Sequence, residues 1–598
     1  MKIPSKLKPF IYFGLITLVI LILYRASLWF SFLGDDFLEI KYFSDGNLWQ
    51  KVLSHFWSKE WGYLPFYRPV AVFLHAVVFS LSGINPLGYH LANIFVHILN
   101  AFLVYFLANE LAGNRNRVIG FSSALIFAVH PLQINTVAWA AAFASGYGTL
   151  FIILSSIAYI NFSRTSRRSY VIAALLFFIF ALGSYEAAFM LPLLLVSYEL
   201  IINRLRLSQI INKLSFYLPA FFISLAYLAI RRVAFGGIVS GYPQLSSQLA
   251  IRSVPTFFWH SILNLKTVNP VYSGMPGYSL RLVVDALIGA AFVYAFFRII
   301  KRGRNFLSQV VFCFVWVVLA QLTFIFAVID PATSRVLSFF MVGFSMGLVF
   351  MLWSLAQTFS FKYRLPFFVI FVGLFTVYYS ILTFEHMDKY KQASNSVRSI
   401  QEGLVNVYEQ ASGHPTLFFQ DYPAYVTDKS GRINLAVQYQ VGMSDAVSPP
   451  FTKIRVPVYP LPRLSPDELK PLLTGGLNMN LVYWDTNIQR VKLQSNTAND
   501  TNPLKPVNIE AFEWGDKICF KKEGFDNFKL VVLTEVIPSV YKFRDKSDRP
   551  AVCIDLATTN ALQPFQFYKR NRFYWWVLAF DDNARVAAAS KLNSFLAD

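Results

Sequence analysis

From Pro9 to Phe384 the chain repeats one pattern, apolar stretches of roughly helix-spanning length parted by short loops rich in lysine and arginine. A helix needs about 20 apolar residues to cross the hydrocarbon of a bilayer. That repetition commits most of the chain to a membrane. Only 14% of the 598 residues are charged, against about a quarter in soluble domains. After Phe384 the recurrence stops.

A net charge of +20 invites a nucleic-acid reading, but its distribution removes the motive. Up to residue 384 stand 28 Lys+Arg against 10 Asp+Glu, and from residue 385 onward 25 against 23. The excess therefore belongs to the apolar part. It collects in short loops: Lys2, Lys6 and Lys8; Arg115 and Arg117; Arg164, Arg167 and Arg168; Arg204, Arg206 and Lys213; Arg298, Lys301, Arg302 and Arg304; Lys362 and Arg364. Setting all of them on the cytoplasmic side satisfies the positive-inside rule.

That choice fixes an expected topology. The run from Phe10 to Phe30 is long and lacks a small-residue cleavage site, so it is expected as a retained anchor running outward over about 10–30. Residues 31–87 then form a first external loop, in which Val70–Ser82 is too short to span and reads as an interfacial helix. Crossings follow at about 88–111, 118–131, 144–162, 170–184, 187–204 and 214–234. A second external loop, 235–280, holds only the short apolar segment Val254–Leu265. Crossings at about 281–299, 307–328, 336–358 and 365–384 bring the total to eleven, or thirteen if both short segments cross. The N-terminus is then cytoplasmic and the C-terminus outside, in a plasma or ER-type membrane.

Residues 385–410 read as a helical lead-in, and beyond them turn residues punctuate alternating runs such as Arg455–Tyr459, Leu481–Trp484 and Leu530–Leu533. The expected architecture is a polytopic α-helical membrane protein over 1–384 with a strand-rich α/β or β extracytoplasmic domain over 385–598. Ser495–Asn502 reads as a linker. The tail cysteines, Cys519 and Cys553, form a disulfide in an oxidising compartment or stay as two thiols. Its aromatics, among them Trp484, Trp514, Trp575 and Trp576, serve its core or membrane contact, with glycan binding as the alternative.

Acidic residues are scarce in the membrane part, and the topology puts eight of the ten near the external side. Gly34-Asp35-Asp36-Phe37, directly after the first helix, is the leading candidate for chemistry. Adjacent carboxylates near a bilayer surface can act as a general base or hold a cation, or they can be a solvated helix end. Further candidates are Tyr67-Arg68-Pro69, His130 and the set His90, Asn93 and His97, whose i, i+3, i+7 spacing puts them on one helical face. That face lines a cavity or makes interhelical hydrogen bonds. Glu186, at the top of an apolar helix, requires a cationic partner such as Arg68. The external Arg231, Arg232, Arg252, Arg281 and Arg335 break the positive-inside pattern; they touch lipid headgroups or form a phosphate site, Lys266 with them.

Taken in order, Gly34-Asp35-Asp36-Phe37, Tyr67-Arg68-Pro69-Val70, Gly88 to Asn93 with His97, Ala124 to Pro131 and Ala138-Trp139 resemble the GT-C glycosyltransferases, closest to the protein O-mannosyltransferase-like branch. Gly183-Ser184-Tyr185-Glu186 is similar to that branch's Ser-Lys-Glu motif with Tyr185 in place of lysine, and Ser334 to Ser338 to its Arg-Tyr-Leu-Tyr element without the tyrosines. The resemblance covers roughly residues 15–350; the tail lies outside it and lacks the TPR pattern of some relatives. It implies inverting transfer of a sugar from a polyprenyl-phosphate donor to a protein, lipid or glycan acceptor outside the cytoplasm. Asp35 or Asp36 would be the base. Arg335, with Arg231, Arg232 or Lys266, would meet the leaving phosphate, and Tyr67, Arg68, His90, Asn93, His130 and Glu186 would support the substrates. No metal is expected, because no third ligand motif lies near Asp35 and Asp36; Mg or Mn held by that pair is the alternative. Two other functions fit many helices and external arginines: a transporter or flippase of lipid-linked sugars, and a catalytically degenerate scaffold.

Overall fold

The computed structural model describes residues 8–56, 66–113, 117–235, 306–322 and 338–420. Further on it describes 422–423, 425–427, 434–437, 443–461, 464, 468–469, 479–485, 490–493, 507–509, 511–514, 517–521, 525–533, 539–544, 551–555, 572–580, 586–590 and 593–596. Two compact units emerge: Met1–Phe30, Gly46–Gln392 and Val426–Ala436 form one, and Ser31–Asp45, Ala393–Tyr425 and Val437–Asp598 the other.

In chain order the helices are Lys8–Tyr24 (α1), Asp35–Ser44 (α2), Leu48–Ser54 (α3), Pro69–Ser82 (α4), Pro86–Leu111 (α5), Arg117–Val129 (α6), Ile134–Ala138 (α7) and Phe143–Thr165 (α8). They continue with Arg168–Leu182 (α9), Leu191–Ile201 (α10), Leu207–Ile210 (α11), Leu214–Phe235 (α12), Leu307–Leu322 (α13), Ser338–Ala356 (α14), Phe361–Gln410 (α15) and Met443–Ala446 (α16). Among the described residues six helical stretches are long and apolar enough to cross a membrane, or seven if the bent pair α6 and α7 counts as one. The chain is a multi-pass helical membrane protein. α4, α9 and α13 are apolar but shorter, at 14, 15 and 16 residues. The predicted lead-in over 385–410 continues α15 without a break. The expected loop 235–280, apart from its first residue, which ends α12, and the crossing 281–299 lie outside the described residues.

Local sequence sets the helix ends of the first unit. Asn85 accepts a hydrogen bond from Leu87 N–H at 3.1 Å and Pro86 opens α5, a start that costs no backbone donor. Pro131 has the opposite effect at the end of α6. It cannot continue the hydrogen-bond ladder, and the chain bends by 57° between Arg117–Val129 and Pro131–Ala138. Carbonyls freed within a membrane need internal donors. His97 Nε2 reaches Ala128 O at 3.1 Å, Thr383 Oγ1 reaches Val129 O at 2.7 Å, and Gln133 N–H reaches His130 O at 3.0 Å.

A second polar knot lies among α8, α10 and α12. Glu199, fully buried, accepts hydrogen bonds from Tyr159 Oη at 2.8 Å, Ser163 Oγ at 2.7 Å and Asn203 Nδ2 at 2.7 Å. Tyr159 Oη is in turn 2.6 Å from Tyr217 Oη. A buried carboxylate with its lone pairs engaged on three sides is tolerable where a bare one is not.

The second unit carries most of the strands: Thr416–Gln420 (β1), Val458–Pro460 (β4), Met479–Asp485 (β5), Arg490–Leu493 (β6), Val507–Ile509 (β7), Ala511–Trp514 (β8), Lys517–Lys521 (β9), Asn527–Leu533 (β10), Ser539–Arg544 (β11), Ala551–Asp555 (β12), Arg572–Phe580 (β13), Val586–Ser590 (β14) and Asn593–Leu596 (β15). Tyr425–Thr427 (β2) pairs with Asn434–Val437 (β3). One sheet has the order β4-β1-β5-β6, with β1 parallel to both neighbours. A larger one runs β11-β10-β13-β14-β7 with β15 also on β13, and β12-β9-β8 makes a third. All three runs expected as strands take part, the first only from Val458 onward.

Successive strand residues face opposite sides of a sheet, yet Trp575 and Trp576 are both almost fully buried. β13 is therefore covered on both faces. Trp576 packs with Phe418, Tyr459 and Leu481 of the first sheet, and its indole N–H donates to Glu468 O at 3.1 Å. Those two tryptophans are core residues.

Cys519 is disulfide-bonded, and the register of β9 and β12 sets Cys553 directly opposite it. Cys313 is free and buried. Thiol counting on the unreduced, denatured protein is expected to find one thiol among the three cysteines, and all three after reduction. Three thiols without reductant would place these strands in a reducing compartment.

Candidate active site

In the second unit α2 opens on the two aspartates. Its N-cap, Gly34, has φ +50°, a conformation that favours glycine. Leu33 N–H donates to Asp36 Oδ2 at 2.8 Å, and Asp36 N–H donates back to Leu33 O at 3.1 Å. The bracket fixes the Asp36 carboxylate at a helix N-terminus, where the backbone dipoles favour negative charge. Asp35 and Asp36 are 7% and 2% exposed. Phe32, Phe37 and Phe451 wall the turn, with ring centroids 5.0–6.1 Å apart. These two carboxylates are not a solvated helix end. Both are buried, and Asp36 is held by the bracket, as a base or a cation ligand would need to be.

The first unit contains a separate constellation. Val70 N–H donates to Gly183 O at 2.8 Å, tying the start of α4 to the end of α9. A Cβ on Gly183 would come within 2.6 Å of Val70 Cγ2, so the close approach itself requires glycine. Arg68, just before α4, and Glu186, just after α9, thereby meet as a fork: Nε to Oε2 at 2.9 Å and Nη2 to Oε1 at 2.6 Å. Their side chains are 13% and 11% exposed. The Arg68 guanidinium also lies 4.1 Å from the Phe66 ring centroid and 4.9 Å from that of Tyr185. Tyr185 in turn backs onto Gly148, where a Cβ would come within 2.3 Å of the Tyr185 Cβ. The ring at the position of the missing lysine thus clamps Arg68.

Burial alone would raise the Glu186 pKa, but the Arg68 charge and hydrogen bonds, helped by Arg231, hold it below the ordinary carboxylate range. Arg231 is buried and donates from Nη1 to Tyr227 Oη at 3.2 Å. The Tyr227 ring lies 5.9 Å from that of Tyr67, whose hydroxyl donates to Phe56 O at 3.1 Å. Tyr67, Arg68, Glu186 and Arg231 are therefore one group, and Tyr227 belongs with them although sequence reasoning passed it over. Its spacing of four from Arg231 on one helix was the available signal.

The remaining candidates take other places. Asn93 Nδ2 donates to Trp139 O at 3.0 Å and His97 serves Ala128 O, so of the two roles expected for that face these residues fill the interhelical one. His90 is buried, edge-on to Phe30 at 6.2 Å. His130 Nδ1 accepts from Leu132 N–H at 3.2 Å, and its ring lies 4.3 Å from Tyr379. Arg232 is exposed. Lys266 and Arg335, like Arg252 and Arg281, lie outside the described residues. Among the described residues no three His, Cys, Asp or Glu side chains converge as a metal site would.

No protein-family model matches the chain. It is 31% identical over 93 residues to the human protein O-mannosyl-transferase TMTC1, a match spanning 16% of this chain and 10% of that protein. It is 29% identical over 179 residues to the mouse protein O-mannosyl-transferase TMTC4, spanning 26% and 24%. The chain thus covers at most about a quarter of the length of these two relatives. Among solved structures, ArnT from Cupriavidus metallidurans bound to undecaprenyl phosphate superposes with a TM-score of 0.33 at 13% identity, over 79% of this chain and 93% of that one. The resemblance read from the ordered motifs is borne out: over these short matches the chain is similar to protein O-mannosyl-transferases.

Proposed function

We propose that this chain is a membrane glycosyltransferase that moves a sugar from a polyprenyl-phosphate donor to a protein, lipid or glycan acceptor on the extracytoplasmic face, with inversion. The observation that carries this is the Asp35-Asp36 pair, buried and fixed at a helix start, in a chain whose relatives are named protein O-mannosyl-transferases. One aspartate takes the acceptor hydroxyl proton as that oxygen bonds to the anomeric carbon. The bond from that carbon to the phosphate oxygen breaks, and the phosphate leaves with the electron pair. Arg335, with Arg231, Arg232 or Lys266, neutralises the leaving phosphate. Tyr67, Arg68, His90, His130 and Glu186 support the substrates, and Asn93 does so only through the packing that its hydrogen bond to Trp139 O holds. The step needs no metal in this reading; Asp35 and Asp36 are the residues that would hold Mg or Mn if one took part.

The orientation belongs to the same proposal: N-terminus cytoplasmic, eleven crossings within 1–384, and 385–598 outside. The disulfide at Cys519 supports it, since such bonds persist in oxidising compartments. A lipid-linked donor suits that side of the membrane, where nucleotide sugars are absent.

The test is sugar transfer in membranes containing the full chain, against a panel of polyprenyl-phosphate sugars, with and without a divalent chelator. Transfer from at least one donor, insensitive to chelator, is the expected result. Membranes that transfer from no donor, yet move lipid-linked sugar between leaflets, would overturn the enzyme in favour of a flippase.

A further inference from the structure

Residues 31–45, which carry the two aspartates, group with the C-terminal unit rather than with the helices that flank them in sequence. α2 has ten residues, too few to hold a shape or a place by itself. Its place comes from three anchors within that unit. Ahead of the aspartates, Ser31 N–H donates to Ser394 Oγ at 2.7 Å, across 363 positions of sequence. Beside them, the Phe451 ring stands 5.9 Å from Phe32 and 5.0 Å from Phe37. At the far end, Lys41 Nζ meets Asp445 Oδ1 at 2.6 Å, with the two side chains 28% and 14% exposed. α16, which bears Asp445, is itself held, since Gln401 Nε2 donates to Ala446 O at 2.6 Å.

We propose that the C-terminal unit is the jig that aims the carboxylates, with Asp445 and Ser394 as positioning residues for Asp35 and Asp36. The inference rests on the base assigned to that pair under the proposed function. An anchor at each end of a short helix sets both its advance along its axis and its roll about it. Either error moves a carboxylate at the first turn, and a misplacement of about 1 Å can cost on the order of a hundredfold in rate. The tail is then part of the transfer machinery, not an appended module that only recruits an acceptor.

The experiment uses the full chain in proteoliposomes with polyprenyl-phosphate-mannose as the probe, following release of polyprenyl phosphate. Lys41→Gln and Asp445→Asn are each expected to lower kcat about tenfold or more while leaving the donor KM within about twofold. The reversed pair, Lys41→Asp with Asp445→Lys, recovers most of that loss. Ser394→Ala, which removes one acceptor from a surface already assembled, lowers kcat severalfold with protein abundance unchanged. If these variants keep wild-type kcat while Asp35→Asn or Asp36→Asn abolishes turnover, the inference falls and the base assignment stands. If both carboxamide variants turn over normally, the base assignment falls and takes the inference with it. Losses that only track protein abundance, unrelieved in the reversed pair and absent in Ser394→Ala, assign the contacts to folding and overturn the inference.

Discussion

Asp35→Asn and Asp36→Asn are expected to separate the base from its neighbour, one of them cutting kcat by about 10²–10⁴, or roughly 3–5 kcal/mol of transition-state stabilisation. The carboxamide is nearly isosteric with the carboxylate but cannot take a proton at neutral pH. Asn at position 36 still offers an oxygen to the Leu33 N–H that Asp36 Oδ2 accepts from at 2.8 Å. The turn therefore survives the substitution, and the loss reports chemistry. Asp36→Ala is different, because it also removes the bracket at the start of α2, at about 0.5–2 kcal/mol of local stability. A loss confined to Asp35→Asn would make Asp35 the base and Asp36 its support. Wild-type transfer in both carboxamide variants, at matched abundance, would sink the assignment.

Glu186→Gln carries the second large effect, on stability. The Arg68–Glu186 fork is largely screened from solvent, and removing one partner of a buried pair costs about 3–5 kcal/mol. Removing both is milder: Arg68→Leu with Glu186→Leu recovers part of the loss, because the Arg68 charge goes with its carboxylate. The pH dependence has a definite sign. The Glu186 carboxylate titrates below its ordinary range in the folded chain. Its contribution is therefore complete above the unfolded value, about 4.3, and is lost as pH falls through the lower folded value. Thermal melting in detergent, followed by tryptophan fluorescence, checks both points. A Glu186→Gln melting temperature equal to wild type would contradict them.

Hydropathy made the helices legible wherever burial in lipid decides them. Pro69, Pro86 and Pro131 mark starts and a break that a reader of sequence can place within a residue or two. The partner of Glu186 was legible for an electrostatic reason: a carboxylate at an apolar helix end must find a cation, and Arg68 was the near one. The service of His97 and Asn93 was only half legible. Their face is visible at i, i+3, i+7, but the carbonyls they satisfy exist because of the bend at Pro131 and the turn at Trp139. The alliance of α2 with Ser394, Asp445 and Phe451 left no trace at all. It joins residues hundreds of positions apart, and no local pattern encodes such a pairing. Sheet order is non-local in the same way: β1 sits between β4 and β5, so alternation predicted the strands without predicting their neighbours.

Glu199 has a consequence for how the chain is built. Glu199 is the ninth of the eleven residues of α10, and a carboxylate within an inserting helix is costly until it finds partners. Two of the donors that quench this charge, Tyr159 and Ser163, belong to α8 and leave the ribosome first, while Asn203 follows within four residues. α10 therefore enters the bilayer against a waiting partner rather than alone. Tyr217, on α12, arrives last and closes the knot through Tyr159. The order of residues along the chain doubles as an assembly schedule, in which α10 finds two of its polar contacts already synthesised.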